Sequence, residues 1–144
     1  FAKEDVFVVA TTAAVDPARF RPPPNARVER FVPHSALLGR AAAVVCHGGM
    51  GITQKALAAG VPVCVVPFGR DQNEVAAHVV ASGAGTSLAP KRLTAERLRA
   101  ALALARQKSA GAQRVAEGFR SGGGATAVAD ALESMLTARS SAAA

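Results

Sequence analysis

The run His47-Gly48-Gly49-Met50-Gly51-Ile52-Thr53 joins small residues, one titratable donor and the start of an amphipathic pattern. A strand that ends in small residues and turns at once into a helix leaves its first backbone N–H groups unpaired, at the positive end of the helix dipole. Such a terminus holds anions, and phosphate is the usual one. The glycines let the backbone come close to a ligand, and His47 adds a donor that becomes cationic on protonation. Farther along, Pro67-Phe68-Gly69-Arg70-Asp71-Gln72 sets a carboxylate beside an amide. Both side chains can bond vicinal hydroxyls, so phosphate and polyol together describe a nucleotide-sugar site.

Composition bounds what carries these residues. At 144 residues, half of them apolar, the chain has the size of one domain with a real core. Aromatic residues are scarce and alanine is abundant, which favours helices packed closely on a sheet. No apolar run approaches the ~20 residues of a membrane span, and the charged start Phe1-Ala2-Lys3-Glu4-Asp5 is not a signal peptide. Without an initiating Met, the chain reads as starting inside a longer protein, and a soluble cytoplasmic setting is expected. Cys46 and Cys64 fall in predicted buried strands, as expected of reduced structural thiols. Neither His34 nor His78 has a partner at metal-ligand spacing, so no metal is expected. The net charge of +7 is carried by scattered arginines without interleaved aromatics, which argues for solvated helix faces rather than nucleic-acid binding.

Strand and helix signals alternate along the chain. Val6 to Thr11 is a continuous apolar run, as in a strand covered on both faces. Pro17 to Asn25 holds four prolines and reads as a surface loop. Arg27 to Phe31 alternates and reads as a strand near an edge, followed by a short helix over Ser35 to Arg40. Ala43 to Cys46 is a strand delivering the chain to His47, and a helix follows from about Gly51 to Ala59. Gly60 supplies its left-handed cap and Pro62 prevents continuation. Val63 to Val66 is a buried strand and Asn73 to Ala81 a helix with Val75, His78, Val79 and Val80 in or near one apolar stripe. Thr86 to Leu88 is a short strand. Thr94 caps a helix from Ala95 to Gln107 that turns Leu98, Ala101, Leu102 and Ala105 inward. Helical segments over Ala110 to Phe119 and Thr126 to Leu136 complete the pattern, the last with Val128, Leu132 and Met135 as core candidates. Residues 1–139 form the expected domain, and 140–144 the expected flexible tail. The fold class is therefore α/β, a Rossmann-like parallel sheet flanked by helices, with ligands at the C-terminal strand ends. Both chemistry-bearing loops fall at that edge.

Phe31-Val32-Pro33-His34-Ser35-Ala36-Leu37-Leu38, then His47-Gly48-Gly49-Met50-Gly51, Gly60-Val61-Pro62 and Pro67-Phe68-Gly69-Arg70-Asp71-Gln72 occur in this order across most of the chain. The set resembles the C-terminal donor-binding domain of GT-B glycosyltransferases. The bacterial macrolide and glycopeptide enzymes are nearest in pattern, and the plant and animal uridine-diphosphate glycosyltransferases are related. The resemblance implies that Phe31 stands where plant enzymes stack a tryptophan on the nucleobase, and His34 where they read the base with glutamine. It implies pyrophosphate contacts from His47 and from the stretch Gly49, Met50, Gly51 and Ile52, and sugar contacts from Asp71 and Gln72. Two residues depart from the pattern. Ile52 replaces the usual Ser or Thr, so a hydroxyl contact to phosphate is lost or passes to Thr53. Lys55 replaces the glutamate that grips the ribose in plant members.

Plainer roles stand beside these. His47 can cap the helix with its side chain, Asp71 can be the N-cap of the next helix, and Phe31 can be packed in a core. His34 sits in a Pro-led loop at the binding edge, whereas His78 reads as structural.

The resemblance implies hexosyl transfer from a nucleotide-diphosphate sugar to a small-molecule hydroxyl, with inversion. No metal or other cofactor is implied, because the helix N-terminus, His47 and the glycine amides meet the leaving diphosphate. The general base is expected in a preceding acceptor domain, so no catalytic residue is expected in this chain and the fragment alone is expected to be inactive. Family donor domains open with a further strand and helix, whose absence would leave strand edges unpaired and open to self-association. Two other readings stay open: a non-catalytic donor-binding subunit of a two-chain transferase, and a GT-B nucleotide-sugar epimerase.

Overall fold

A computed structural model describes residues 1–142, with side chains to position 136. The chain forms two compact units, Phe1–Ala41 and Ala42–Ala144.

The first unit carries strands β1 (Val8–Thr11) and β2 (Ala26–Glu29), paired in parallel with Val8 opposite Ala26 and Thr11 opposite Glu29. Pro17–Arg19 turns once as a 3-10 helix, and Asp16 accepts from the Ala18 N–H at its start. The Asn25 amide donates to the carbonyls of Phe1 (2.8 Å) and Val6 (3.0 Å), tying the segment before β1 to the start of β2. Helix α1 (His34–Leu38) closes the unit, with Leu38 buried. The apolar run at Val6 to Thr11 is not covered on both faces as expected. Val9, Ala10 and Thr11 are exposed, because among the described residues β1 has only β2 as a strand neighbour.

The second unit is the α/β body. Its elements are β3 (Val44–Cys46), α2 (Met50–Ala58), β4 (Val63–Val65), α3 (Gln72–Ala81), β5 (Gly85–Ser87), α4 (Ala95–Arg106), α5 (Ser109–Ser121) and α6 (Gly124–Ala142). The three strands pair in parallel in the order β3-β4-β5. β4 is central, and Val63, Cys64 and Val65 are fully buried there, as a continuous apolar run in a covered parallel sheet must be. Helix α2 packs on α5, α3 and α4 pack on β5, and Ala105, Ala112 and Ala116 are fully buried among the helices. Their short side chains let backbones approach closely, which is what the alanine content anticipates.

Several local expectations hold. Gly60 takes φ 72° after α2, the Thr94 hydroxyl accepts from the Arg97 N–H at 3.2 Å, and Ala105 is the most buried residue of α4. Others are corrected. Val128, Leu132 and Met135 are 57–65% exposed on α6, so they form an apolar face and not core. Helix α6 spans Gly124–Ala142, and positions 143–144 of the expected tail lie outside the described residues. Cys46 is only half-buried, because β3 is an edge strand. His78 faces solvent, one step off the buried stripe of Val75, Ala76 and Val79, with Nε2 3.7 Å from Glu74. β3 and β5 each pair on one side only among the described residues. Among the described residues, no helix is long and apolar enough to cross a membrane.

Candidate functional site

Two neighbouring parallel strands bring the two chemistry-bearing loops to one edge. Cys46 at the end of β3 stands opposite Val65 at the end of β4, and the Val66 N–H donates to the Cys46 carbonyl at 2.8 Å. The chain therefore leaves β3 at His47 and β4 at Pro67 side by side. Gly48 then closes the gap between the loops. It takes φ +90°, and a Cβ there would lie 2.8 Å from Val65 Cγ1 and 3.2 Å from the Gln72 carbonyl oxygen. Only a residue without a side chain lets the turn after β3 press against the first residue of α3.

Helix α2 begins at this point. Gly49 is its N-cap, in an extended conformation and without a side-chain capping bond, and the first helical bond runs from the Thr53 N–H to the Gly49 carbonyl at 3.1 Å. The N–H groups of Met50, Gly51 and Ile52 are thus left unpaired at the helix start, as an anion site requires. His47 does not cap them. It is exposed, and its ring folds over Gly49, with Nε2 2.6 Å from where a Gly49 Cβ would stand. A donor and three free N–H groups therefore share one small surface.

Thr53 serves differently from its expected role as a phosphate contact. It is 3% exposed, and its hydroxyl proton goes to the Gly49 carbonyl at 2.9 Å. With that proton committed, the Cys46 thiol is the donor in its 3.7 Å contact with Thr53 Oγ1. Thr53 braces the turn from below. Lys55, where a ribose-gripping glutamate is usual, is exposed on α2.

The second loop is a preformed turn. Gly69 (φ 154°) and Arg70 (φ 58°) both have positive φ, and for Arg70 the left-handed conformation costs about 1 kcal/mol. Two bonds hold it: Gln72 N–H to the Gly69 carbonyl at 3.2 Å, and Phe68 N–H to Gln72 Oε1 at 2.7 Å. Asp71 occupies the N-cap position of α3 but makes no side-chain capping bond, so its exposed carboxylate remains available. Sequence reasoning missed the bond from Phe68 to Gln72, although the spacing of four residues across a glycine turn was a usable signal.

Phe31 and His34 belong to the first unit. Phe31 follows β2 and is 74% exposed, so it is not packed in a core; His34 is the first residue of α1 and half-buried. The second unit gathers His47, Gly49, Met50, Gly51, Ile52, Asp71 and Gln72 around one sheet edge.

Residues 2–135 match the family model described as the erythromycin biosynthesis protein CIII-like, C-terminal domain. The chain belongs to that family. It is 49% identical over 102 residues to 4'-demethylrebeccamycin synthase of Lentzea aerocolonigenes, a match covering 70% of this chain and 24% of the relative. Among solved structures it is similar to CalG4, the calicheamicin glycosyltransferase, with TM-score 0.84 and 30% identity over 94% of this chain and 36% of that one. It is also similar to the glycosyltransferase VinC, solved in complex with DTDP, with TM-score 0.73 and 35% identity over 83% of this chain and 31% of that one. The α/β body is thus a partial C-terminal half of a GT-B fold. The chain spans between 24% and 36% of the length of these relatives.

Proposed function

We propose that this chain is the donor-binding part of a glycosyltransferase that moves a hexosyl group from a nucleotide-diphosphate sugar to a small-molecule hydroxyl. The observation that carries the reading is Gly48 against Gln72, which sets an open helix N-terminus beside a carboxylate–amide pair. The diphosphate lies at the N–H groups of Met50, Gly51 and Ile52 with His47 over it, and Thr53 supports the turn. The sugar lies at Asp71 and Gln72. Family membership and the relatives' names support transfer as the chemistry, and VinC with DTDP supports a nucleoside diphosphate as the ligand.

In the transfer step the bond from the anomeric carbon to the diphosphate oxygen breaks as the acceptor oxygen attacks with inversion. Charge then builds on the departing diphosphate. Preoriented N–H groups stabilise it without reorganisation, and the His47 ring adds a further donor, so the reading needs no metal or other cofactor. The acceptor proton goes to a base outside this chain, in a preceding domain of the same protein, and the setting is cytoplasmic.

Calorimetric titration with UDP, dTDP and GDP, alongside His47→Ala, tests the reading. One diphosphate is expected to bind with micromolar affinity, and the variant to weaken it roughly 10-fold to 100-fold, as loss of a charge-assisted hydrogen bond does. No binding of any diphosphate by the folded chain would overturn it.

A further inference from the structure

The outer edge of β5 forms the floor of a groove between two helices. Val80 of α3 stands on one side, Ala101 and Leu104 of α4 on the other, and Gly85, Thr86 and Ser87 lie between them, around a space of about 450 Å³. None of these residues belongs to the loops after β3 and β4. The Ala84 carbonyl accepts from the Val63 N–H and the Leu88 N–H donates to the Val65 carbonyl, so alternate residues of β5 face β4. Gly85 and Ser87 fall between those positions and turn their N–H and C=O groups to the open side, where none has a backbone partner among the described residues. Val80 and Leu104 beside them are 49% and 54% exposed. Free backbone groups on the floor and apolar side chains on the walls are what an extended segment needs to add to a sheet.

Charge decides what kind of segment fits. Helix α4 runs back along β5: Thr86 Oγ1 donates to the Ala101 carbonyl at 3.0 Å, and past the end of α4 a Cβ on Gly111 would collide with the Gly83 carbonyl, just before β5 begins. Arg97, Ala101, Leu104 and Lys108 recur at the spacing of one helical stripe, and Lys108 lines the groove. This wall is therefore apolar in the middle and cationic at both ends. Neither cation has an ion-pair partner among the described residues, and no carboxylate lines the groove. A second copy of the chain carries the same net charge of +7, which opposes its docking here. We propose that the groove takes an acidic, extended segment of a partner protein, added to β5 as a further strand. Alternate side chains of a strand share a face, so the matching pattern toward α4 is carboxylate, apolar, carboxylate at every second position. Carboxylate-bearing residues four positions apart lie about 13 Å apart in a strand, and Arg97 and Lys108 about 16 Å apart along the helix, a difference that their long side chains close.

The probe is the peptide acetyl-Glu-Thr-Val-Thr-Glu-amide, with acetyl-Lys-Thr-Val-Thr-Lys-amide as its charge-reversed control. Each is titrated into the 144-residue chain and followed by NMR. Saturable shifts of the Gly85 and Ser87 amides are expected with the glutamate peptide, together with slowed exchange at both. The lysine peptide is expected to bind roughly tenfold more weakly or not at all. Arg97→Glu and Lys108→Glu change exposed side chains, and each is expected to weaken the glutamate peptide about twofold to fivefold, as exposed ion pairs contribute. Unchanged Gly85 and Ser87 amides at millimolar peptide overturn the proposal, as do shifts confined to the loops after β3 and β4. Equal binding of the two peptides, or undiminished binding by the double variant, overturns the acidic character of the partner. Concentration-dependent shifts of the same two amides without peptide would make a second copy the occupant, which overturns it as well.

Discussion

The imidazole of His47 occupies the space that a side chain on Gly49 would need: a Cβ there would stand 2.6 Å from Nε2 and 3.0 Å from Cε1. Gly49 has φ −61°, which any residue adopts, so its role is to make room and not to supply backbone freedom. Gly49→Ala is therefore expected to fold, with a stability loss of about 1 kcal/mol or less at the N-cap. The ring must swing away from the helix start, and diphosphate affinity is expected to fall about tenfold, approaching that of His47→Ala. Calorimetry on both single variants and the double variant checks this. Full additivity of the two losses would show that Gly49 does not act through His47.

Gly48 and Gly51 flank that residue and predict opposite results. Gly48 combines φ +90° with contacts to Val65 and the Gln72 backbone, so Gly48→Ala forces the two loops apart. A loss of roughly 2–3 kcal/mol is expected from overpacking and backbone strain together. A Cβ on Gly51 meets nothing within 4 Å, in the first turn of α2. Gly51→Ala is expected to stabilise the chain by up to ~1 kcal/mol through helix propensity. Urea unfolding of the two variants decides it, and equal midpoints would contradict the packing described for Gly48.

Which parts of this were readable in advance follows from the range of the interactions involved. Gly60 as a cap, Thr94 as an N-cap and Val63 to Val65 as a buried strand are local or near-local consequences of residue type. Periodicity also reports correctly that α6 has an apolar face. It cannot report what covers that face, and so Val128, Leu132 and Met135 read as core although they are exposed. The run at Val6 to Thr11 fails for the same reason: its composition suits a covered strand, but among the described residues β1 has a single neighbour. That the loops after β3 and β4 share one strand end was legible from the alternation of strands and helices, and the parallel pairing of β3 with β4 bears it out. The brace by Thr53 and the wedge of Gly48 were not legible, because both depend on which atoms meet after the strands pair.

Thr94 offers a test of the helix that backs β5. Its hydroxyl accepts from the Arg97 N–H, and α4 packs against β5 through its buried side. Thr94→Ala leaves that N–H to solvent and is expected to cost about 1 kcal/mol, whereas Thr94→Asp, which keeps the acceptor and favours the helix dipole, is expected to cost little. Thermal unfolding of the pair distinguishes them. A Thr94→Asp variant as unstable as Thr94→Ala would mean that the threonine methyl group, and not the cap, carries the effect.

Cys46 and Cys64 predict distinct chemistry and a pH dependence. Cys64 is fully buried on the central strand, and burial pushes its thiol above the ordinary value of 9.0; the Thr86 hydroxyl opposes this and the neighbouring Cys46 adds to it. In the unfolded chain the same thiol ionises at its ordinary value. Below that pH both states hold the proton and the group contributes no pH dependence. Above it the unfolded state releases its proton first and so binds fewer protons, and stability falls as pH rises toward the folded-state value. The loss of urea stability between pH 7.5 and pH 9.5 is therefore expected to be smaller in Cys64→Ala than in the wild type, with reductant present throughout. Native chain treated with a thiol reagent at pH 8 is expected to be labelled at half-buried Cys46 well before Cys64. Identical pH slopes in the two proteins, or simultaneous labelling of both cysteines, would show that β4 opens to solvent far more readily than its packing implies.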